Sequence, residues 1–272
     1  MILFVVEGEE REIAILKTIE ELFFEKKRDR IIYSFGTDIY ELYRLIVDDN
    51  KERDELYFKD VVSVLQQLEK DNQDSPLKMI KDRSDVSEVY LFFDYDLQVS
   101  KLGHVVDKQE LNSKIGQLVS FFDDETDHGK LFVNYPMVES LRYFKTLPDP
   151  EYSYYTFPVG QLLNFKDSAS KFSCYGNLDF ACFRIGKNSR EITPQSLLRE
   201  EVLSENWRLL TTQNVRKANY ICHQEDQMPD DREAITQSSI FNGQMVSYYP
   251  NGVVSILNSF PLFLYDYFGR VV

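Results

Sequence analysis

Four short apolar-rich runs in the first half of the chain, each followed by apolar residues at helical spacing, constrain its fold most. "ILFVV" (2–6), "RIIYSF" (30–35), "VYLFFD" (89–94) and "KLFVNYP" (130–136) read as strands. Unbroken apolar stretches of this length suit strands covered on both faces, as in parallel sheets. Between them, Ile15, Leu16, Ile19, Leu22 and Phe23 predict a helix over about 9–26. Asp38 with Glu41 offers a capping box for a helix running to Val47. Val61, Val62, Val64, Leu65 and Leu68 predict another helix, and Leu111, Ile115, Leu118, Val119 and Phe122 a further one. "DDETDHG" (123–129) reads as a turn, and a short helix carrying Glu139 follows the fourth strand. Strand and helix alternate, so the predicted fold class is α/β, a mostly parallel sheet flanked by helices.

Beyond "TLPDPEYSYYTFP" (146–158) the pattern changes to helical stretches near 166–174, 194–222, 233–247 and 259–268. The expected organisation is therefore an α/β domain over 1–145 and a mainly helical extension over 146–272. No apolar run approaches the roughly 18 residues that span a bilayer, and no signal peptide is legible at the start. Cys174, Cys182 and Cys222 form no C-x-x-C pair; a reducing, cytoplasmic setting is the expectation.

Charge limits the partners. The chain carries a net −14. Residues 1–145 hold 20 basic against 31 acidic side chains, a net −11, and residues 146–272 hold 11 against 14, a net −3. A protein that coats duplex DNA by releasing counterions is basic. Any contact with nucleic acid here must be local, with metal ions offsetting an acidic centre.

That centre is marked by three carboxylates at strand ends. Glu7 follows the first strand, in "VVEGEEREIAIL", where Gly8 permits a tight turn into a helix. Asp94 and Asp96 close the third strand in "FFDYDLQ", and the period-two alternation puts them on one side. In open α/β sheets, functional groups collect at the carboxyl ends of strands. Hard oxygen donors converging there suit Mg²⁺ or Mn²⁺, which can polarise a phosphoryl oxygen for in-line attack by water.

"FVVEGEEREIAIL", followed about ninety residues later by "YLFFDYDLQ", resembles the Toprim domain family. "NYPMVESLRYF" (134–144) is similar to an Asn-Pro-x-x-Glu element of small Toprim-like nucleases from bacterial anti-phage, abortive-infection and restriction-associated loci, relatives of the OLD-type nucleases; Tyr135 interrupts it. The resemblance covers residues 1–145. It implies that Glu7 is the catalytic glutamate, a metal ligand or general acid/base, and that Asp94 and Asp96 are the metal-binding pair. Glu12 falls where nuclease-type members carry a second acidic residue, and Glu139 becomes a further candidate ligand. Arg11 stands where some relatives have an acid, which bears on whether one metal or two is held.

The expected function is a Mg²⁺- or Mn²⁺-dependent phosphodiester nuclease acting in anti-phage defence. The resemblance implies a DNA or RNA substrate (a tRNA among them), a separate ATPase as partner, and leaves a homo-oligomer open. Two alternatives remain: a non-catalytic Toprim-derived interaction module, and an Asp-x-Asp phosphohydrolase with Asp94 as nucleophile. No P-loop occurs in the chain. His104 and His128 lie in polar loops, and Cys222-His223 lacks partners at zinc spacing. Arg208, Arg216 and Lys217 share a predicted helix as phosphate contacts or as a solvated face, and "YSYYTF" (152–157) reads as core or as a stacking surface.

Overall fold

The computed structural model of the chain describes residues 1–25, 28–48, 57–95, 97, 107–173 and 196–271, with the side chains of 196–199 excepted. Asp96, His104, Cys174 and Cys182 lie outside them.

The N-terminal half alternates as its apolar runs predict. Strand β1 (Ile2–Val6) leads through Gly8 into helix α1 (Arg11–Phe23), and strand β2 (Arg30–Ser34) into helix α2 (Ile39–Ile46). A small antiparallel pair, β3 (Val47–Asp48) and β4 (Tyr57–Phe58), precedes helix α3 (Val61–Leu68). Strand β5 (Glu88–Asp94) and helix α4 (Lys108–Phe121) follow, then β6 (Asp123–Asp124) and β7 (Gly129–Asn134). The sheet order is β2-β1-β5-β7-β6. All neighbours run parallel except β6, which folds back on β7 across the polar turn. The fold is α/β, with β1 and β5 central; every residue of β1 is buried.

Helix starts follow local chemistry. The Asp38 carboxylate accepts from the N–H groups of Tyr40 (3.1 Å) and Glu41 (2.9 Å), satisfying donors that the first turn leaves unpaired. The expected capping box is only half formed, because Glu41 pairs with Arg44 on the exposed face. Asp60 and Asp107 cap α3 and α4 in the same way. Helix α1 is shorter than its apolar spacing suggests and begins at Arg11, since Gly8–Glu10 are spent on the strand-to-helix turn.

The second half is less uniformly helical than its sequence predicts. A 3₁₀ turn (Val138–Arg142) follows β7, and strand β8 (Thr156–Pro158) precedes helix α5 (Phe165–Phe172). The long helix α6 (Ser196–His223) is followed by α7 (Gln237–Gly243), which continues as a π turn over Gln244–Tyr248. Strand β9 (Val253–Ser255) then pairs antiparallel with β8, and helix α8 (Ser259–Phe268) closes the chain. Among the described residues, no helix is long and apolar enough to cross a membrane.

Helix α8 covers one face of the sheet with aromatic rings. Phe263 meets Phe4 (5.6 Å between centroids), Tyr90 (4.9 Å), Phe92 (5.4 Å) and Phe132 (5.8 Å) edge-on. Phe260 stacks over Phe92 at 4.5 Å. Edge-to-face and offset contacts at these separations suit the ring quadrupole. The C-terminal segment therefore completes the core of the N-terminal sheet, and residues of β1, β5, β7 and α8 belong to one apolar cluster. Phe263→Ala is expected to cost about 3–5 kcal/mol, measured by urea denaturation. A loss below about 1 kcal/mol would mean that α8 does not hold the sheet.

Candidate strand-end acidic site

The pairing of β1 with β5, Val6 opposite Phe92, carries Glu7 and Asp94 to the same edge of the sheet. Glu7 sits one residue past β1 and Asp94 is the last residue of β5. The Glu7 N–H donates to the Phe92 carbonyl (3.1 Å), which extends the ladder by one step. The Glu7 carboxylate then turns inward and accepts from the Asp94 N–H at 2.9 Å. On the other side, the Gly36 N–H donates to the Glu7 carbonyl (3.0 Å), and the left-handed φ of +73° at Gly36 is one that glycine adopts readily.

Asp94 stands opposite Asn134, the last residue of β7. The Asn134 Nδ2 donates to Asp94 Oδ1 at 3.0 Å, while Asn134 Oδ1 accepts from the Ser259 N–H (3.0 Å) and Oγ (2.7 Å). This buried amide therefore fixes the carboxylate and also receives the first N–H of α8. Asn258 donates to the Val138 carbonyl (3.1 Å) and to Ser140 Oγ (3.0 Å), pinning the 3₁₀ turn beside the strand ends. Asn134 is part of the quoted "NYPMVES" element, yet its role as a bridge depends on α8, over 120 residues away, and no local pattern announces it.

The remaining acids separate by environment. Glu9 and Glu10 are exposed, whereas Glu12 is buried. Its carboxylate folds back over Gly8, where a β-carbon would sit 2.4 Å from one carboxylate oxygen. The glycine makes this close approach possible. Burial pushes the Glu12 carboxyl above its usual value of 4.5, opposed by the N–H groups of Glu12 itself and Gly8 and by the charges of Arg11 and Lys166. Glu139 is buried on the 3₁₀ turn and is ion-paired with Arg11. Arg11 thus neutralises a candidate ligand.

Other expectations resolve differently. Lys217 is no phosphate contact. It is fully buried, with Nζ donating to the carbonyls of Tyr152 (2.8 Å) and Tyr155 (2.7 Å), and burial pushes its pKa well down. Arg208 pairs with Glu205 and Arg216 with Asp226 on the outer face of α6. His128 is exposed and stacks on Phe121. Cys222 is half-buried, its thiol pushed up to about 12 by burial. His223 contacts the Ala234 carbonyl. Tyr152 belongs to the core, and Tyr154 is exposed. A cleft of about 610 Å³ between α4 and α7 and one of about 310 Å³ beside Arg208 and Arg216 share no residue with the strand-end acids.

Among the described residues, no group of three His, Cys, Asp or Glu side chains is placed to hold a metal ion, and Asp96 lies outside them. Glu7 and Asp94, joined at this edge through the Asp94 N–H, carry hard oxygens suited to Mg²⁺ or Mn²⁺ rather than to a thiolate- or imidazole-loving ion. Mg²⁺ commonly takes only one or two protein carboxylates and completes its octahedron with water and substrate phosphate. The residues present fit that mode. Compared with family models, curated proteins and solved structures, the chain gives no match.

The raised Glu12 value carries a pH signature. A carboxyl whose folded pKa exceeds its unfolded one contributes stability that is full below about pH 4.5 and is lost as pH rises through the folded value. Glu12→Gln is therefore expected to gain on the unsubstituted protein as pH rises from 4.5 to neutrality, in urea melts recorded without divalent ions. Parallel pH profiles for the two would contradict this environment for Glu12.

Proposed function

We propose that the chain is a Mg²⁺- or Mn²⁺-dependent phosphodiester nuclease of Toprim type, working in the bacterial cytoplasm in anti-phage defence. One observation carries the reading: Glu7 and Asp94, separated by 86 intervening residues, meet at adjacent strand ends through a 2.9 Å hydrogen bond. Glu7, Asp94 and the neighbouring Asp96 would hold the cation, with Glu12 behind them. Bound there, the ion supplies Lewis-acid polarisation of a phosphoryl oxygen and a more acidic water. The protein's own part is orientation and proton handling. The Glu7 carboxylate, fixed by the Asp94 N–H, is placed to exchange a proton with the attacking water or the leaving oxygen. Asn134 holds Asp94 in one orientation, so its position is set before substrate arrives. The substrate is DNA or RNA, a tRNA included, and the absence of a P-loop in the sequence fits a separate ATPase as regulator.

The test uses the purified chain with Mg²⁺ or Mn²⁺ and total RNA, plasmid and single-stranded DNA, alone and with extract of phage-infected cells. Cleavage of at least one substrate is expected, reduced by about 100-fold or more in Glu7→Gln and in Asp94→Asn with the circular dichroism unchanged. Cleavage that survives both substitutions overturns the proposal. Absence of cleavage throughout favours a non-catalytic interaction module.

A further inference from the structure

The 3₁₀ turn beside the acidic site carries a cation with no acidic partner among the described residues. Arg142 is only 8% exposed, and among the described residues its buried Nε has no hydrogen-bond partner, while its Nη2 donates to the Lys166 carbonyl at a long 3.3 Å. Burying a guanidinium is costly unless its donors are satisfied. Residues three apart eclipse one another on a 3₁₀ helix, so Arg142 lies on the same face as Glu139. Glu139 is held by Arg11, which brings a second guanidinium to that face. Lys166, exposed on α5, adds an ammonium that has no ion pair among the described residues. Burial and the neighbouring Arg11 both push the Arg142 pKa down, and the charge of Lys166 is felt at Glu12.

Three cations thus lie near Glu139 and Glu12, Arg11 through its ion pair with Glu139 and Lys166 through its charge felt at Glu12, in a protein whose net charge is −14. Among the described residues, none satisfies the Arg142 Nε. Two like charges held together beside an unpaired guanidinium edge are suited to an oxyanion that accepts from both, and the planar fork of arginine matches a phosphate.

We infer that Arg142, Arg11 and Lys166 form a phosphate-receiving wall for the strand-end site, taking a backbone phosphate of a single nucleic-acid strand next to the bond at the carboxylates. The inference rests on the nuclease reading of the same site and names what that reading lacks, the means by which an acidic protein holds a polyanion. Arg142 is the buried anchor. Lys166 is the outer contact, and Arg11 is shared between phosphate and Glu139.

The experiment is fluorescence anisotropy with a fluorescein-labelled single-stranded oligo(dT) in EDTA, where no cleavage is needed. The full chain is expected to bind, with affinity falling as salt rises. Arg142→Gln should weaken binding about tenfold. Lys166→Ala should weaken it less and reduce the salt slope by about 0.7. Lys166 is exposed, so that variant keeps the test open should Arg142→Gln not fold. Arg142→Lys keeps a charge but not the fork, and should fall between Arg142→Gln and the parent. No binding by the parent, or binding unchanged in folded Arg142→Gln and in Lys166→Ala, overturns the inference. The nuclease reading fails by a different result, cleavage retained without Glu7 and Asp94, so the two failures are distinguishable.

Discussion

The in-register parallel pairing of β1 with β5 is the constraint on which the rest depends. It buries two apolar strands at the centre of the sheet and ends both at the same edge, one in Glu7 and the other in Asp94. Side chains alternate along a strand, so a slip of one residue would move each side chain to the opposite face and change which groups reach that edge together. Core packing and site geometry are therefore one requirement. The aromatic layer from α8 reinforces it, because Phe260 and Phe263 lock onto Phe92, two residues before Asp94. The residue just before that helix, Asn258, and its first, Ser259, also brace the 3₁₀ turn and Asn134. A C-terminal element thus braces the carboxylates placed by N-terminal strands.

Electrostatics at the edge is a matter of compensation. Glu7 and Asp94 are tied to backbone and amide donors, Glu139 to Arg11, and Glu12 to the N–H groups of its own turn. Those partners do not fully offset the burial of Glu12, which keeps its carboxyl reluctant to ionise. A divalent cation nearby would favour the ionised form, and a phosphate would satisfy the Arg142 edge. The proposed cation and phosphate would thus each meet a group, the Glu12 carboxyl and the Arg142 Nε, whose burial is not fully offset among the described residues.

Much of this was legible in the sequence. Unbroken apolar runs gave β1 and β5 to within a residue, and the acids that end them stood out because a buried strand rarely stops on charge without cause. The helical spacing of Ile15, Leu16 and Ile19 placed α1, although the turn through Gly8 delayed its start to Arg11. What stayed hidden was long-range. Lys217 looked like a surface cation because the spacing of α6 does not reveal that Tyr152 and Tyr155 close over it. The pairing of β8 with β9 joins short segments about a hundred residues apart, in stretches whose composition reads as helix or loop. Asn134 and Arg142 sat inside a quoted element, but their roles come from Ser259, Arg11 and Lys166, each brought in by tertiary packing.

The proposed function requires that Glu7 and Asp94 act together as one divalent-cation site. Isothermal titration of Mn²⁺ into the purified chain tests it without any substrate. Saturable binding is expected, lost in Glu7→Gln and in Asp94→Asn and retained in Glu139→Gln, whose carboxylate is already engaged by Arg11. Mn²⁺ binding that persists unchanged when both Glu7 and Asp94 are replaced would contradict it.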